Sequence, residues 1–403
     1  MKAKITPKKI EGIIDAPPSK SMAHRLLISS ALSSGETVID GISDSGDMNA
    51  TLRCLDALGA KFEKKGEALR IEGLDIKNIS DCTLDCIESG STLRFFIPIC
   101  LLSGRKITLK GSKRLFERPL DAYKSICEEN GFLFEQKESS VTLCGALKGG
   151  EYSLRGDVSS QFISGLMFAL PLCREDSIIS LIPPIESRSY IDMTVKALDL
   201  FGIKIERKGE EAYFIKGGQA YVSPKKIRAE GDYSNSAFFD VFSYLGYDVS
   251  VSGLDTDSLQ GDKIYREYFE KIKYGSPVLD INNCPDLAPV LMALAAIKNG
   301  ATLNGTKRLK IKESDRGTVM AEELSKFGVE CVLEENSITV VKKEFHPPRS
   351  ILYGHNDHRI VMALCALLCV VGGEIDGIEA VNKSLPNYFE LLEKLGVNIS
   401  YEA

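Results

Sequence analysis

The sequence predicts a mixed α/β fold in which one unit occurs six times: a strand, a helix, a second strand, a second helix and a β-hairpin. A phrase of apolar helix, glycine and strand recurs along the chain, and a series of polar helix openings precedes those glycines at a nearly constant interval. Hydrophobic residues make up 44% and charged residues 26% of the 403 residues, which is typical of a folded globular protein. A chain of this length is expected to form two domains, each with its own core.

The recurring phrase is clearest at residues 55–73, LDALGAKFEKKGEALRIEG, and at residues 197–217, ALDLFGIKIERKGEEAYFIKG. A glycine follows the apolar helix in each copy, where a left-handed C-cap is favourable because glycine has no Cβ to clash. We therefore predict that these helices end at Gly59, Gly131, Gly202, Gly275, Gly328 and Gly396.

Polar residues open an apolar helix 38 to 42 residues before each of these glycines. Ser, Asn and Asp are preferred N-caps because their side chains accept hydrogen bonds from the exposed backbone amides of the first turn. Parallel strands joined by helices place the helix N-termini at one edge of a sheet, so these residues should share an edge. The predicted openings are Ser21, Ser91, Ser160, Asn235, Asp286 and Asp357.

Successive polar openings, and likewise successive glycines, are mostly 68 to 75 residues apart. One interval in each series is shorter: 51 residues after Asn235 and 53 residues after Gly275. The fourth copy is therefore predicted to lack its hairpin. Three copies then fall on each side of a domain boundary near residues 227–236.

The net charge of −6 and the pI near 5.5 argue against a broad nucleic-acid-binding surface, which needs an excess of basic residues. The longest uncharged apolar run, IVMALCALLCVV at residues 360–371, is too short to span a bilayer, and the N-terminus has no apolar signal-peptide core. We expect a cytoplasmic protein without membrane or nucleic-acid partners. Its eleven cysteines are interpreted as reduced core thiols rather than disulfides or metal ligands.

Lysine and arginine are concentrated at the predicted helix openings of a chain that is acidic overall. A helix N-terminus offers backbone amide donors and the positive end of the helix dipole, so these openings predict a site for phosphates and carboxylates. Each single arginine has the simpler interpretation of a surface charge or a structural ion pair. The segment PPSKS at residues 17–21 lacks the glycines of a phosphate-binding loop, which disfavours nucleotide triphosphate hydrolysis. The cations are Lys20, Arg25, Arg94, Arg118, Arg188, Lys312, Arg316, Arg359 and Lys383.

The same openings contain candidates for proton transfer: Asp286, Glu313, Asp315 and His358. A carboxylate surrounded by cations is held ionised, which suits a general base. Asp286 and Asp357 have an equally simple alternative role as helix N-caps, and the sequence alone does not decide between cap and catalyst.

Eight short motifs occur in the order and at the approximate spacing of the enolpyruvyl transferase family, which the chain resembles over essentially its whole length. The resemblance implies a two-domain inside-out α/β barrel, with three repeats per domain and an active site in the cleft between the domains. It also implies that strand 1–16 completes a discontinuous C-terminal domain, 1–16 with 229–403, beside an N-terminal domain, 17–228. The motifs are SKSMAHR, GSTLRF, ERPL, GDVSSQF, SYID, KESDR, NDHR and KSLPNYF.

The resemblance implies transfer of the enolpyruvyl group of phosphoenolpyruvate to the 5-hydroxyl of shikimate 3-phosphate, a step of aromatic amino-acid biosynthesis. The implied reaction proceeds through a tetrahedral intermediate, releases phosphate and needs no metal or cofactor. Each substrate carries a phosphate and a carboxylate, so cations must hold the two together against their mutual repulsion. We expect a monomer.

Residue roles are implied by the resemblance, motif by motif. Asp286 is expected to take the proton from the attacking hydroxyl, Glu313 to protonate the methylene carbon, and Lys20 to assist proton transfer near the departing phosphate. His358 is a fourth catalytic candidate. Phosphoenolpyruvate is expected to contact Lys20, Gly90, Arg118, Gln161, Arg316, Arg359 and Lys383. Shikimate 3-phosphate is expected to contact Ser21, Arg25, Ser159, Ser160, Gln161, Ser187, Tyr190, Asp286 and Lys312.

Several positions depart from the family pattern. Glu88 lies two residues before Gly90, where an asparagine is common, and its negative charge is unexpected beside an anion site. Ser189 replaces the proline of the S-x-P-Y element, and Arg308 replaces an asparagine. Unsubstituted Gly90 implies sensitivity to glyphosate.

Two alternative functions are consistent with much of this pattern. The related transferase that acts on UDP-N-acetylglucosamine has the same fold and co-substrate, but it usually carries a cysteine before its Arg-Pro motif. Residues 110–121, KGSKRLFERPLD, contain none. A catalytically silent anion-binding paralogue would keep the cations without turnover, and retention of Asp286, Glu313, Lys20 and His358 argues against it.

Overall fold

The computed structural model describes residues 1–66 and 68–402, which divide into two compact units. One unit is the continuous segment Pro18–Glu230, and the other combines Met1–Pro17 with Gly231–Ala403. The strands of the first short segment are β1 (Lys2–Thr6) and β2 (Glu11–Asp15).

The unit Pro18–Glu230 alternates helices with short strands, as the sequence repeat predicts. Its described helices are α1 (Lys20–Leu32), α2 (Gly46–Ala57), α3 (Gly90–Leu101), α4 (Lys113–Glu117), α5 (Asp121–Glu129), α6 (Ser160–Ala169) and α7 (Arg188–Leu200). Its described strands are β3 (Ser33–Ser34), β4 (Glu36–Asp40), β5 (Lys61–Lys65), β6 (Ala68–Glu72), β7 (Cys82–Asp85), β8 (Ile107–Lys110), β9 (Leu133–Lys137), β10 (Ser140–Cys144), β11 (Glu151–Arg155), β12 (Ser177–Ile182), β13 (Ile205–Lys208), β14 (Ala212–Ile215), β15 (Tyr221–Val222) and β16 (Lys226–Arg228).

Three sheets of this unit share one pattern, a parallel pair of strands followed by an antiparallel hairpin. Their strand orders are β16-β4-β6-β5, β7-β8-β10-β9 and β11-β12-β14-β13. Strand β16, at the end of the unit, pairs in parallel with β4 and so supplies the first strand of the first sheet. The described chain provides no strand of this sheet just before α1. Strand β16, from the C-terminal end of the unit, takes that place in the first copy of the repeat.

The helices lie inside this unit and the sheets lie outside. Residues 92–101 of α3 are all buried, and α3 packs against α6, which is also buried over almost its whole length. Strand β12 alternates buried and exposed residues, so one face of its sheet covers the helices and the other faces solvent. This is the inside-out arrangement that the family resemblance implies.

The unit formed by Met1–Pro17 and Gly231–Ala403 repeats the plan. Its described helices are α8 (Tyr233–Leu245), α9 (Tyr265–Tyr274), α10 (Ala288–Ile297), α11 (Arg316–Ser325), α12 (His358–Val371) and α13 (Tyr388–Lys394). Its further strands are β17 (Asp248–Ser252), β18 (Val278–Asp280), β19 (Ala301–Asn304), β20 (Glu330–Leu333), β21 (Ser337–Val341), β22 (Leu352–Tyr353), β23 (Gly373–Asp376) and β24 (Asn398–Glu402). Short 3-10 turns that contain or directly precede site residues are Pro285–Leu287, Lys307–Ile311 and Ile378–Lys383.

The two four-stranded sheets of this unit have the orders β18-β19-β21-β20 and β22-β23-β1-β24. Strand β1 pairs antiparallel with both β23 and β24, so it occupies the place of the inner hairpin strand in the sixth copy. The fourth copy contributes β17, which pairs with β2, and its chain passes from α9 to β18 without a hairpin. The predicted loss of the fourth hairpin is confirmed.

The predicted helix openings are correct in region but mostly wrong in the capping residue. Ser19, Ser89, Ser159 and Asp232 are the N-caps, one to three residues before the predicted ones, and each side chain accepts a backbone hydrogen bond. Each of these motifs contains several polar residues in a row, and the earliest one that can adopt the extended cap conformation takes the role. The sixth predicted cap, Asp357, is correct.

The glycine series is confirmed in five of its six members, which have φ values from 67° to 99°. Helix α9 also ends at Gly275, which is its C-cap, but the predicted left-handed conformation is wrong there, because the φ of −168° is extended. The physical reason is the missing hairpin: after α9 the chain continues directly into β18 instead of turning back.

Two further sequence expectations concern the helices and the thiols. Within the described ranges, no helix combines the length and the apolar character needed to cross a membrane. The eleven cysteines are thiols without a disulfide, and most of them are buried.

Candidate active site

One group of predicted site residues, the Lys20 cluster, lies in the unit Pro18–Glu230 at or near the N-termini of its helices. This placement follows from the fold, because each helix that succeeds a strand of the parallel pair begins at the same edge. The members are Lys20, Ser21, Arg25, Gly90, Arg118, Ser159, Ser160, Gln161, Ser187 and Tyr190.

Lys20 is paired with a residue that the sequence analysis did not select. Its Nζ donates to Oδ2 of Asp47 at 2.8 Å, and both side chains are largely buried. Asp47 lies in the first turn of α2, where the helix dipole stabilises a carboxylate. The signal was present in the motif SGDM, in which Ser45 caps the second helix of the first copy just as serines cap the first helices.

Arg25 is buried and joins α1 to α7. Its guanidinium donates to Oγ1 of Thr194 at 2.8 Å, to the carbonyl of Ser21 at 2.6 Å and to the carbonyl of Tyr190 at 2.8 Å. It also lies over the ring of Phe95, 5.4 Å from the centroid. Burial lowers the pKa of Arg25 to about 10, so the group stays charged at neutral pH. Arg25 therefore holds the backbone of two other predicted shikimate 3-phosphate contacts.

Gly90 and Arg118 are in close contact at the start of α3. A Cβ built on Gly90 would lie 2.6 Å from Nη1 and 2.8 Å from Cζ of Arg118. The guanidinium therefore packs against the backbone of the glycine, and a side chain at this position would displace it. The family resemblance implies that both residues contact phosphoenolpyruvate, and the structure brings them together.

Gln161 is oriented by two residues of α3. Nη1 of Arg94 donates to Oε1 of Gln161 at 2.7 Å, and Nε2 of Gln161 donates to Oγ of Ser91 at 2.9 Å. The guanidinium of Arg94 also lies 5.1 Å from the centroid of the Phe162 ring. Arg94 thus positions the amide that the resemblance assigns to phosphoenolpyruvate.

The serines of this cluster differ in their local structure. Ser159 caps α6 by accepting a hydrogen bond from the backbone N–H of Gln161 at 3.3 Å, and Ser160 is the first residue of that helix. Ser187 precedes α7 with a φ of 55°, which is unfavourable for a residue with a side chain. Its neighbour Arg188 donates to the backbone carbonyl of Glu210 at 2.7 Å, which gives that cation a structural contact.

A second group of predicted residues, the Asp286 cluster, lies in the other unit. It consists of Asp286, Lys312, Glu313, Arg316, Asp357, His358, Arg359 and Lys383. At its centre Oδ1 of Asp286 accepts from Nζ of Lys312 at 3.1 Å and from Nη1 of Arg316 at 2.7 Å. Oδ2 of Asp286 accepts from Nη2 of Arg359 at 3.2 Å. Asp286 makes no capping bond in its 3-10 turn, so its predicted N-cap role is wrong, and its carboxylate serves the cation cluster instead.

Arg316, the first residue of α11, is 1% exposed and faces three carboxylates. Besides Asp286, its Nη2 donates to Oε2 of Glu313 at 2.7 Å and its Nε donates to Oδ2 of Asp357 at 2.9 Å. Asp357 also accepts from the backbone N–H of Arg359 at 3.0 Å and so caps α12. Asp357 therefore has the cap role that the sequence offered for it, and it is also an ion-pair partner of Arg316.

The charges of this cluster shift its pKa values. Burial acts to raise the pKa of Asp286, but Arg359, Lys312 and Arg316 outweigh it and hold the pKa well below its usual range. Burial lowers the pKa of Lys312, although Asp286 opposes the shift. Burial also acts to lower the pKa of Arg316, but Asp357, Glu313 and Asp286 together raise it above its ordinary value. The cluster therefore presents an ionised carboxylate among cations at neutral pH.

The other candidates of this unit are placed around the centre. His358, the first residue of α12, is buried, and its Nδ1 is 3.9 Å from Oδ1 of Asp357, beyond hydrogen-bond distance. Nζ of Lys383 donates to the carbonyl of Asn356 at 2.6 Å. Asp315 caps α11 by accepting from the N–H of Thr318, which gives this proton-transfer candidate a structural role.

Residues that depart from the family pattern, or that the sequence analysis missed, support the same clusters. Nη1 of Arg359 donates to Oγ of Ser234, which lies in the helix opening GDYSNS without having been selected. Nη2 of Arg308 donates to the carbonyl of Asn282 at 2.5 Å and so braces the turn that leads to Asp286. Glu88 directly precedes the Ser89 cap of α3, where the helix dipole favours a negative charge.

The donor set of the two clusters is suited to anion binding and acid–base chemistry. Across residues 1–66 and 68–402, no group of three or more His, Cys, Asp or Glu side chains is arranged to hold a metal ion. A repeated α/β fold that presents cations and an ionised carboxylate near its helix N-termini defines the class of protein: an enzyme for small phosphorylated or carboxylated substrates.

Comparisons with known proteins identify the family. The family model described as EPSP synthase (3-phosphoshikimate 1-carboxyvinyltransferase) matches residues 5–392. The 3-phosphoshikimate 1-carboxyvinyltransferases of Clostridium kluyveri and Clostridium novyi are each 39% identical to this chain, over 98% of it and 97% of their own length. The chain belongs to the EPSP synthase family, whose members are enzymes.

Solved structures show the same fold. The structure of EPSP synthase from Acinetobacter baumannii superposes with a TM-score of 0.80 at 22% identity, covering 99% of this chain and 100% of that one. The two-domain α/β fold expected from the sequence is therefore confirmed.

Proposed function

We propose that this chain transfers the enolpyruvyl group of phosphoenolpyruvate to the 5-hydroxyl of shikimate 3-phosphate and releases inorganic phosphate. The observation that carries the proposal is the carboxylate of Asp286, held ionised by Lys312, Arg316 and Arg359 in a member of this family. Such a group can accept a proton from a hydroxyl that cations have drawn close to it.

In the proposed binding mode, charge complementarity orients both substrates. Phosphoenolpyruvate contacts Lys20, Gly90, Arg118, Gln161, Arg316, Arg359 and Lys383. Shikimate 3-phosphate contacts Ser21, Arg25, Ser159, Ser160, Gln161, Ser187, Tyr190, Asp286 and Lys312. Guanidinium groups bind carboxylate and phosphate in a fixed geometry, which converts an encounter of two repelling anions into a positioned pair.

The proposed chemistry has two steps. The substrate hydroxyl oxygen bonds to C2 of phosphoenolpyruvate while Asp286 accepts the hydroxyl proton. Glu313, in its protonated form in the loaded site, delivers a proton to C3, which gives the tetrahedral intermediate. C3 then returns a proton to the Glu313 carboxylate as the bond from C2 to the phosphate oxygen breaks, which restores the double bond. The departing phosphate takes up a proton equivalent to the one removed from the hydroxyl. Lys20 stabilises the departing phosphate, and His358 stays a candidate for proton transfer.

The surroundings of Asp286 supply a reason for substrate-dependent activation. Three cations depress the pKa of its carboxylate in the unliganded protein, which makes it a weak base. When substrate anions bind Lys312 and Arg359, part of that positive charge is neutralised and the proton affinity of Asp286 rises. The carboxylate then becomes a stronger base at the moment when the hydroxyl is in place.

The experiment that tests the function is phosphate release from phosphoenolpyruvate with shikimate 3-phosphate as acceptor, run beside UDP-N-acetylglucosamine. Release with shikimate 3-phosphate alone is the expected result. Release with UDP-N-acetylglucosamine alone would select the related transferase and overturn the proposal. Calorimetric binding of shikimate 3-phosphate without turnover under any condition would indicate a silent paralogue.

A monomeric state and a cytoplasmic location are part of the proposal. The acidic net charge of −6 and the reduced thiols are what support them. Light scattering coupled to size-exclusion chromatography would test the first, with a mass of 44.2 kDa expected for one chain.

A further inference from the structure

The segment that leads into α12 has an unusual backbone. His355 and Asn356 are consecutive residues with φ values of 48° and 54°. Residues with side chains rarely adopt this left-handed conformation, and two in a row persist only when the surrounding contacts hold them.

Two cations of the Asp286 cluster depend on this backbone. The carbonyl of Asn356 accepts from Nζ of Lys383 at 2.6 Å, and Asp357, the next residue, accepts from Nε of Arg316 at 2.9 Å. A rotation of the peptide after Asn356 would therefore move the partners of both Lys383 and Arg316.

A buried carboxylate outside the cluster contacts the strained segment. Glu323 lies on α11, seven residues after Arg316, and its side chain is 2% exposed. Its Oε1 is 2.9 Å from Nε2 of His355, and its Oε2 accepts from the backbone N–H of Tyr353 at 3.1 Å. Residues seven apart share one face of a helix, so α11 contacts the same segment at two points, through Arg316 and through Glu323.

Lys326 completes the surroundings of Glu323. Its Nζ donates to the two carboxylate oxygens at 2.9 and 2.8 Å and to the carbonyl of Ile351 at 3.0 Å. Burial acts to raise the pKa of Glu323, but His355, Lys326 and the amide of Tyr353 lower it below its ordinary value. The carboxylate is therefore an ionised and fully engaged acceptor at neutral pH.

We propose that Glu323 and His355 are positioning residues for the reaction, because their hydrogen bond holds the backbone of residues 355–357 where it fixes Lys383 and Arg316. The inference rests on the function proposed above. It predicts that loss of the bond impairs the handling of phosphoenolpyruvate, to which those two cations are assigned, more than that of shikimate 3-phosphate.

The test compares His355→Ala with His355→Gln, whose side-chain amide can replace the imidazole donor. Lys343→Ala is the matched control, since it removes an exposed ion pair with Glu330 in the same unit. His355→Ala should raise KM for phosphoenolpyruvate by about tenfold, on the scale of a weakened hydrogen bond to a charged group. KM for shikimate 3-phosphate should change by less than about twofold, within the range of ordinary surface substitutions.

Each outcome of this comparison decides the proposal. The control should match the unaltered protein, and His355→Gln should recover most of the loss in KM. Equal changes in both KM values, or a lower melting temperature with unchanged kinetics, would show a merely structural role and overturn the inference.

A crystal structure of His355→Ala separates this inference from the proposed function, because it needs no turnover. The φ values of residues 355 and 356 should leave the left-handed region, and the contact of Lys383 with Asn356 should be lost. An unchanged segment would overturn the inference even in an active enzyme. Absence of turnover in the unaltered protein would overturn the proposed function and leave the structural result to stand by itself.

Discussion

Nη1 of Arg316 donates to Oδ1 of Asp286 at 2.7 Å, from a side chain that is 1% exposed. An arginine at this depth is stable only because carboxylates surround it, and Asp286 in turn is kept ionised by the cations. Each residue therefore fixes the charge state of the other, and substitution of either should affect both chemistry and stability.

Asp286→Asn should lower kcat by about 10²- to 10⁴-fold, because an amide cannot accept the hydroxyl proton and a positioned base contributes that range. The amide keeps the shape and an acceptor oxygen, so the fold should survive. Steady-state phosphate release measures the effect, and circular dichroism checks the fold. Turnover near the normal value would remove Asp286 from the mechanism.

The same variant tests the pKa of Asp286. A carboxyl group whose pKa is lower in the folded than in the unfolded chain stabilises the fold above the unfolded value, and this contribution is lost as the pH falls toward the folded value. Acid unfolding of the unaltered protein below about pH 4, the ordinary range for aspartate, should therefore be steeper than that of Asp286→Asn. Parallel acid curves would contradict the assigned shift.

Gly90→Ala should weaken the binding of phosphoenolpyruvate, because the added Cβ would lie 2.6 Å from Nη1 of Arg118 and force the guanidinium to move. We expect KM for phosphoenolpyruvate to rise by roughly 10- to 100-fold, the value of one hydrogen bond to a charged group. KM for shikimate 3-phosphate should change little. Gly275→Ala is the control, since no heavy atom lies within 4 Å of its added Cβ and its φ is extended.

Much of the architecture was predictable because it repeats. The apolar helix followed by glycine and a strand marks each copy, and the shorter interval after Gly275 correctly predicts a missing hairpin. The predictions that failed concern the capping residues, because several neighbouring polar residues could each have taken that role. In SKS and in SGS two serines are available, and the choice of Ser19 over Ser21 depends on backbone geometry that residue type does not reveal.

The sequence predicted which cations belong to the site, but not which carboxylates they pair with. Residue type at a helix start indicates Lys20 and Arg316, whereas their partners Asp47 and Asp357 are selected by the way separate segments pack. Strand β16 is a similar case on the scale of the fold, because its pairing with β4 joins segments almost two hundred residues apart. The motif SGDM marks Asp47 as a residue at a helix start, but its pairing with Lys20 leaves no local pattern in the sequence. The individual substrate contacts stay predictions.

Asp47→Asn should reduce kcat/KM for phosphoenolpyruvate, because Lys20 then loses the carboxylate that holds its Nζ at 2.8 Å. Loss of a partly buried charge-assisted bond is worth about 10-fold or more. Asp44→Asn is a closely matched control three residues earlier, since Asp44 pairs with Lys64 at the surface, where such pairs contribute about 0–1 kcal/mol. Equal effects of the two variants in steady-state kinetics would remove Asp47 from the site.

His24 should make the fold sensitive to mild acid. Its imidazole is buried in α1 with Nδ1 2.8 Å from Oγ1 of Thr51, and burial, aided by the charges of Lys20 and Arg25, holds its pKa well below 6.5. Below pH 6.5 the unfolded chain binds a proton at this histidine that the folded chain does not bind. The free energy of unfolding should therefore fall as the pH is lowered, by at most about 1.4 kcal/mol per pH unit.

Urea unfolding between pH 7.5 and 5.0 measures this contribution when the unaltered protein is compared with His24→Gln. Toward pH 7.5 the difference in stability between the two proteins should become constant, because His24 is then largely neutral in both the folded and the unfolded states. Between pH 6.5 and 5.0 the unaltered protein should lose about 1 to 2 kcal/mol more than the variant. The pKa values of Asp286 and Glu323 are held below the ordinary values of these carboxyl groups, so the two residues change the free energy of unfolding at lower pH. They therefore do not account for a difference between the two proteins from pH 6.5 to 5.0. Parallel curves down to pH 5.0 would show that His24 becomes protonated within the fold and would contradict the assigned shift.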